Sequence, residues 1–374
     1  MEKMFNCSES MITDLVHNDT WYKILKDRNH VRIPGDNPIK ISNYIKDQPE
    51  NEWEILDRDG INVHDNERYV NDALYSPTQR TVHPFDVFFY DNSKELLTQK
   101  QDFGALTLTK CEGNSNYLTR NWDQFIKLGK SYSWNYILRR FHDGMTPPSS
   151  SLVIIDRYLF GTNKDAGTDY KNGIRNVYGI LNELLPKSFS GEYHILLVFD
   201  STTLVNNRKD KIGIAEKIKC IAKGLQKIKT QMNRNYVPTI ELLTINNTHN
   251  NDYYSESHNR KIISNYFMIS CGRGFSALRP PECNKDSIDY IGESEAIWTD
   301  TIYYKGIYKG IDADPIDYDS DSLPTRECDY DLDWLRKYIK TLRDNMDENE
   351  YKYICNGNLR SSITEFRNRL ITCK

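Results

Sequence analysis

Leu152-Val-Ile-Ile-Asp156, the stretch Asp169 to Leu185, and Tyr193-His-Ile-Leu-Leu-Val-Phe199 decide the fold when read in order. Both short runs are apolar at every position instead of alternating, as expected of strands buried on two faces. The stretch between them is long enough for a helix and carries apolar residues at helical spacing, giving β-α-β order. A long amphipathic, basic stretch from Arg208 to Arg234 follows as the next helix. Thr239 to Ile245 reads as a third strand and Arg260 to Ser270 as a fourth. Strands alternating with helices predict an α/β fold with a mostly parallel sheet flanked by helices. Such sheets bind ligands beyond the carboxyl ends of their strands, so Asp156, Asp200 and the Asn246–Ser257 loop are expected to gather at one edge.

Upstream of this unit, Met145-Thr-Pro-Pro-Ser-Ser-Ser151 is a linker signal, since Pro ends a helix and small polar residues allow a flexible entry. The reading is therefore an amino-terminal α+β subdomain over 1–145, an α/β domain over 151–291, and an acidic segment with carboxy-terminal helices over 292–374. In the amino-terminal part, a helix is expected from Ser8 to Arg28, strands at Phe85 to Tyr90 and Gly104 to Thr109, and a further helix over Tyr117 to Phe141. Helices are also expected around Asp331–Asp344 and Asn358–Thr372.

The chain has 374 residues and a formal net charge of -4, which excludes a protein that coats nucleic acid by bulk positive charge. Its eight cysteines are scattered, with no CxxC pair and no His/Cys cluster at zinc spacing, so they read as reduced thiols. No apolar run is long enough to span a membrane, and Met1 to Asp14 lacks the pattern of a signal peptide. The expected location is the cytoplasm, with no cofactor and no metal. Asp312, Asp314, Asp317, Asp319 and Asp321 imitate a calcium loop, but Ser322 stands where Gly is required and Cys328 where Glu is required.

Chemistry concentrates in Ser257-His-Asn-Arg-Lys-Ile-Ile-Ser-Asn-Tyr-Phe-Met-Ile-Ser-Cys-Gly-Arg-Gly-Phe275. Two residues apart on a strand, His258 and Arg260 point to the same side and can approach one phosphate. Together with Asn265 they form HxRx4N, a variant of HxKx4D, in which the His attacks phosphorus and the cation holds the phosphoryl oxygens. Gly272-Arg273-Gly274 can form a turn whose N–H groups nest an anion, with Arg273 adding charge. A tight turn after a strand calls for the same glycines.

These residues resemble the carboxy-terminal phospholipase-D-like domain of MIT-domain proteins, in a bacterial form. The resemblance rests on His258-Asn-Arg260, Asn265-Tyr-Phe267, Gly272-Arg-Gly-Phe275 and the upstream Ile155-Asp156-Arg-Tyr158, and covers about a third of the chain. It implies a phospholipase-D-like sheet with a degenerate HKD motif, a catalytic set of His258, Arg260 and Asn265, and phosphate contacts from Asp156, Tyr158, Gly272, Arg273 and Gly274. The family's Asn-Gly-Trp is not retained, and enzymes of this kind use two HKD halves, within a chain or across a dimer. A second HxRx4N string at His30, Arg32 and Asn37 sits astride Pro34 and Gly35, where an unbroken strand is not expected.

The expected function is a binding protein for the phosphate of a nucleic acid or nucleotide, as a component of a prokaryotic antiviral defence system. A dimeric phosphodiesterase or nuclease using His258 is the alternative, and a protein-interaction scaffold within a homodimer or larger complex is a third reading. The helix from Arg208 to Arg234 carries Lys209, Lys211, Lys217, Lys219, Lys223, Lys227 and Lys229, expected on its outer face beside a buried stripe of Ile214, Ile218, Ile221, Leu225 and Ile228. That face is either solvated or a surface that tracks a phosphate backbone.

Overall fold

The structure is a computed structural model that describes residues 5–7, 30–33, 62–65, 87–89, 104, 106–108, 121–139, 149–162, 169–204, 213–245, 260–306, 327–345, 366 and 368–372. The helix expected from Ser8 to Arg28, the Asn246–Ser257 loop, the acidic run Asp312 to Asp321 and most of Asn358–Thr372 lie outside them.

In the amino-terminal part, β1 (Phe5–Cys7), β2 (His30–Ile33), β3 (Asn62–Asp65), β4 (Val87–Phe89) and β5 (Leu106–Leu108) form one sheet in the order β3-β2-β1-β4-β5. Every described pairing in it is parallel. Parallel neighbours cannot be joined by a tight hairpin, and the residues that connect these strands lie outside the described ones. His30–Ile33 is a strand despite the Pro34-Gly35 that follows, because the chain breaker falls just past its end.

The main sheet has seven strands. They are β6 (Asn121–Ile126), β8 (Ser151–Ile155), β9 (His194–Phe199), β10 (Thr239–Thr244), β11 (Arg260–Ser264), β12 (Phe267–Cys271) and β15 (Asp300–Gly306), in the order β10-β9-β8-β11-β12-β15-β6. A small antiparallel sheet joins β7 (Ser131–Tyr132), β13 (Leu278–Arg279) and β14 (Ser294–Ala296). Only β8, β9 and β10 run parallel, and every pairing from β8 outward to β6 is antiparallel. The sheet is thus mixed, not mostly parallel.

Two local causes account for the difference. The run Arg260 to Ser270 is a hairpin, β11 and β12, turning at Asn265-Tyr266 where one long strand was expected. The expected helix over Tyr117 to Phe141 is instead β6, a tight turn, β7 and the short helix α1 (Trp134–Ile137). Trp122 and Ile126 are both buried, and a spacing of four fits a strand's period of two as well as a helix's period of 3.6. The intervening Phe125 faces outward, which only the strand permits.

Helices α2 (Tyr170–Leu184) and α3 (Ile214–Gln231) cover one face of the sheet, burying Ile174, Leu181, Ile221 and Leu225 with Ile154, Leu197, Leu242 and Ile262 in one cluster. Asp169 caps α2, its side chain accepting the N–H of Lys171 at 3.0 Å and of Asn172 at 3.2 Å. Val153, Val198, Leu243 and Ile263 alternate onto the other face and are also buried. There Lys261 of β11 meets Asp331 of α4 (Glu327–Asn345) at 2.6 Å. Helix α5 (Arg369–Thr372) starts at the buried Asn368, which accepts from Ser151 Oγ and donates to the Leu152 carbonyl, fixing the chain end against β8. Cover on both faces explains why the strand runs are continuously apolar.

The linker expected at Met145–Ser151 is firm where it is described. Ser149, Ser150 and Ser151 are buried, and the Asn265 side-chain oxygen accepts the N–H groups of Ser150 at 2.9 Å and Ser151 at 3.2 Å.

Candidate functional site

The carboxyl ends of β8, β9 and β12 and the amino ends of β11 and β15 share one rim of the main sheet. At this rim β8 continues into Asp156-Arg157-Tyr158, β9 into Asp200, and β12 into Gly272-Arg273-Gly274, while Arg260 opens β11 and Asp300 opens β15. Asp156 and Asp200 therefore gather at one edge as the strand order predicts.

Asp156 is the buried hub. One carboxylate oxygen accepts the N–H of Phe275 at 2.7 Å and the other that of Tyr158 at 2.9 Å. Burial pushes this carboxyl up to about 6, against the pull of those N–H groups and of the Arg260 guanidinium. Gly274, at φ +99°, lets the chain pass over it, and a Cβ at that position would lie 2.5 Å from the carboxylate.

Above the hub stand an exposed ring and two guanidinium groups. The centroid of the Tyr158 ring lies 5.3 Å from Cζ of Arg157 and 5.7 Å from Cζ of Arg260, both within cation–π range. Arg157 donates from Nε to Asp200 at 3.2 Å, and Asp200 also accepts the N–H of Thr202 at 2.8 Å and its hydroxyl at 2.6 Å. Arg260 donates to the carbonyl of Gly272. Each guanidinium carries five donors, and these contacts orient the groups. Arg273 is exposed at the same rim.

At the turn Gly272-Arg273-Gly274 the Arg273 N–H donates to Asp300 at 2.6 Å, and the Phe275 N–H just past the turn donates to Asp156, so the protein's own carboxylates take these two donors. Gly272 and Gly274 shape the turn, and Arg273 contributes through its side chain.

Asn265 is not at the rim. It follows the far end of β11, roughly 17 Å of strand from Arg260 at about 3.3 Å per residue, and is buried. Bound to Ser150 and Ser151, it ties the hairpin turn to the entry of β8. The HxRx4N spacing thus puts a rim cation and a buried amide at opposite edges of the sheet. His258 lies outside the described residues.

Arg157 was not singled out in the sequence. Its signal was available: a cation directly following a rim carboxylate at the end of a buried strand. On α3 the lysines are not all on the outer face. Lys219, Lys223 and Lys227 are exposed, whereas Lys217 is buried and donates to the Leu204 carbonyl at 2.5 Å. Lys219 and Lys227 pair with Glu216 and Asp289, as in a solvated helix face.

Among the described residues, no three His, Cys, Asp or Glu side chains cluster as a metal site, and no helix is long and apolar enough to cross a membrane. No family model matches the chain, and no curated protein matches its sequence.

Proposed function

We propose that the rim of the main sheet binds a phosphate group of a nucleic acid or nucleotide, through the guanidinium groups of Arg157, Arg260 and Arg273 beside the Tyr158 ring. The observation that carries this reading is the convergence of Arg157 and Arg260 on the exposed Tyr158 ring, at 5.3 and 5.7 Å. Guanidinium groups suit phosphate because their planar fork matches its oxygens and they keep their charge at all physiological pH values. An adjacent ring gives a base or sugar a flat apolar surface, the combination used for single-stranded nucleic acid. Asp156 lies beneath, tying Tyr158 to the Gly274 turn, and thereby positions the ring without competing for the ligand.

The degenerate phospholipase-D-like motif is consistent with binding instead of hydrolysis. The acid of the motif is Asn265, which serves the hairpin turn. A second reading, hydrolysis of a phosphodiester by His258, is favoured by one feature of the sequence: His258 stands two residues before Arg260.

Incubation with end-labelled single- and double-stranded DNA and RNA separates the two readings. The binding account expects retention of intact oligonucleotide by wild type and by His258→Ala, and loss of retention in Arg260→Ala. Cleavage that disappears in His258→Ala would replace it with the hydrolytic account, and neither retention nor cleavage of any oligonucleotide would remove both.

A further inference from the structure

Asp156 and Arg260 face each other across two strands. In the antiparallel pairing of β8 with β11, Lys261 stands opposite Ile155, so the next position towards the rim sets Arg260 opposite Asp156. Residues directly opposite share one face of the sheet, with Cβ atoms about 4.5–5.5 Å apart. Asp156 is only 1% exposed, because the Gly274 turn passes over it. A titratable group is thus sealed beneath a guanidinium assigned to the ligand.

The groups packed around Asp156 decide what its titration does. From β11 the Arg260 guanidinium acts on it, and beside Arg260 on β12 stands Cys271, whose thiol burial pushes up to about 12 and so keeps neutral. From β9 comes Asp200, which holds Arg157 and Thr202, and β15 begins with Asp300, which holds the N–H of Arg273. The backbone N–H groups of Phe275 and Tyr158 complete the shell. Burial raises the Asp156 carboxyl to about 6, so it passes from neutral to charged just below neutral pH. A neutral carboxyl keeps acceptor capacity for both N–H groups. The turn therefore stays in place while the charge beneath Arg260 changes, and an ionised Asp156 offsets one unit of the positive charge that attracts a phosphate.

We propose, on the rim reading above, that phosphate binding is coupled to uptake of a proton at Asp156: with the carboxyl neutral the guanidinium groups hold the ligand tightly, and with it ionised they hold it weakly. The coupling is reciprocal, so a bound phosphate makes Asp156 keep its proton to higher pH. Acidification loads the rim and a return to neutral pH unloads it. Asp156 acts through its charge, without touching the ligand.

Isothermal titration calorimetry of the full chain with an oligothymidylate lacking terminal phosphates tests this. Its internal diesters keep their charge across the range, whereas a terminal phosphate titrates near pH ~6. Titrations between pH 5 and 8, in buffers of different ionisation enthalpy, read affinity and proton uptake together, with circular dichroism melts as the folding control. Wild type is expected to bind at least about fivefold more weakly at the alkaline end than at the acidic end, and to take up part of a proton per ligand. Asp156→Asn is expected to lose most of both effects, judged by the ratio of affinities across pH and not by their absolute values. His258→Ala removes the imidazole two residues before Arg260 and is expected to keep both. Binding without proton uptake in wild type, uptake unchanged in Asp156→Asn, or uptake lost in His258→Ala would overturn the coupling and leave the rim reading standing. No binding at any pH would remove the rim reading and the coupling with it. If Asp156→Asn fails to fold, the uptake in wild type and its survival in His258→Ala decide alone.

Discussion

Asp156 and Phe275, 119 positions apart in the chain, are joined by a 2.7 Å hydrogen bond from the Phe275 N–H to the buried carboxylate. That bond fixes the Gly274 turn over the end of β8, and the same buried carboxylate accepts the Tyr158 N–H, so the turn and the Tyr158 backbone are tied to one group.

The turn over Asp156 requires glycine. Gly274→Ala places a side chain at φ +99° with its Cβ 2.5 Å from the carboxylate oxygen. A strained backbone of this kind costs on the order of 1–3 kcal/mol, and displacement of the turn also moves Tyr158. Urea denaturation should show the loss of stability, and oligonucleotide affinity should fall with it. A variant as stable as wild type would show that the turn can relax freely.

Asp156 also gives the fold a pH dependence of known sign. Its carboxyl titrates at about 6 in the folded protein against 3.8 when unperturbed, so the native state holds its proton more tightly. The stabilisation is complete below the unfolded value and is lost as pH rises through about 6, an effect on the order of 2–3 kcal/mol. In melts between pH 4 and 8, wild type should lose stability relative to Asp156→Asn as pH rises, most steeply between 3.8 and about 6 and little above that. A constant difference would contradict the assignment.

Asn265 is structural, and its variants separate it from the rim. Asn265→Ala orphans the buried N–H groups of Ser150 and Ser151, at about 1–3 kcal/mol for each unsatisfied donor. Asn265→Asp keeps the accepting oxygen and should recover most of that loss. Binding at the rim should be equal in wild type and Asn265→Asp when both are folded. A selective loss of binding would return Asn265 to the site.

The buried pair Lys261–Asp331 anchors α4 to the strand that begins with Arg260. Lys261→Met removes one partner of this buried pair and should cost about 3–5 kcal/mol, while Lys261→Met/Asp331→Leu should restore most of it. Equal stability of the single and double variants in urea denaturation would show that Asp331 finds another partner.

The sequence revealed the parts whose patterns have a single reading. The apolar runs at β8 and β9 and the capped helix after Asp169 were legible because burial on both faces leaves almost no polar position in these strands. The antiparallel half was hidden. Trp122 and Ile126 fit strand and helix alike, and the hairpin turn at Asn265-Tyr266 contains neither Gly nor Pro, so Arg260 to Ser270 read as one strand. At the rim, Tyr158 entered only through the resemblance, whereas Asp156 was legible from the strand order and Arg260 from its place on a strand. The role of Asn265 was not, since spacing along a strand does not tell which edge a residue reaches. That Asp300 and Asp156 take the N–H groups of Arg273 and Phe275 was equally hidden, because these carboxylates arrive from distant segments.

The account turns on Arg157 and Arg260 acting together on a phosphate. Fluorescence anisotropy of a labelled single-stranded oligonucleotide, titrated with wild type and with Arg157→Ala/Arg260→Ala at several salt concentrations, measures this directly. The predicted result is a loss of affinity of at least roughly tenfold and a salt dependence shallower by about two released counterions. Equal affinity and equal salt slope in the two proteins would contradict it.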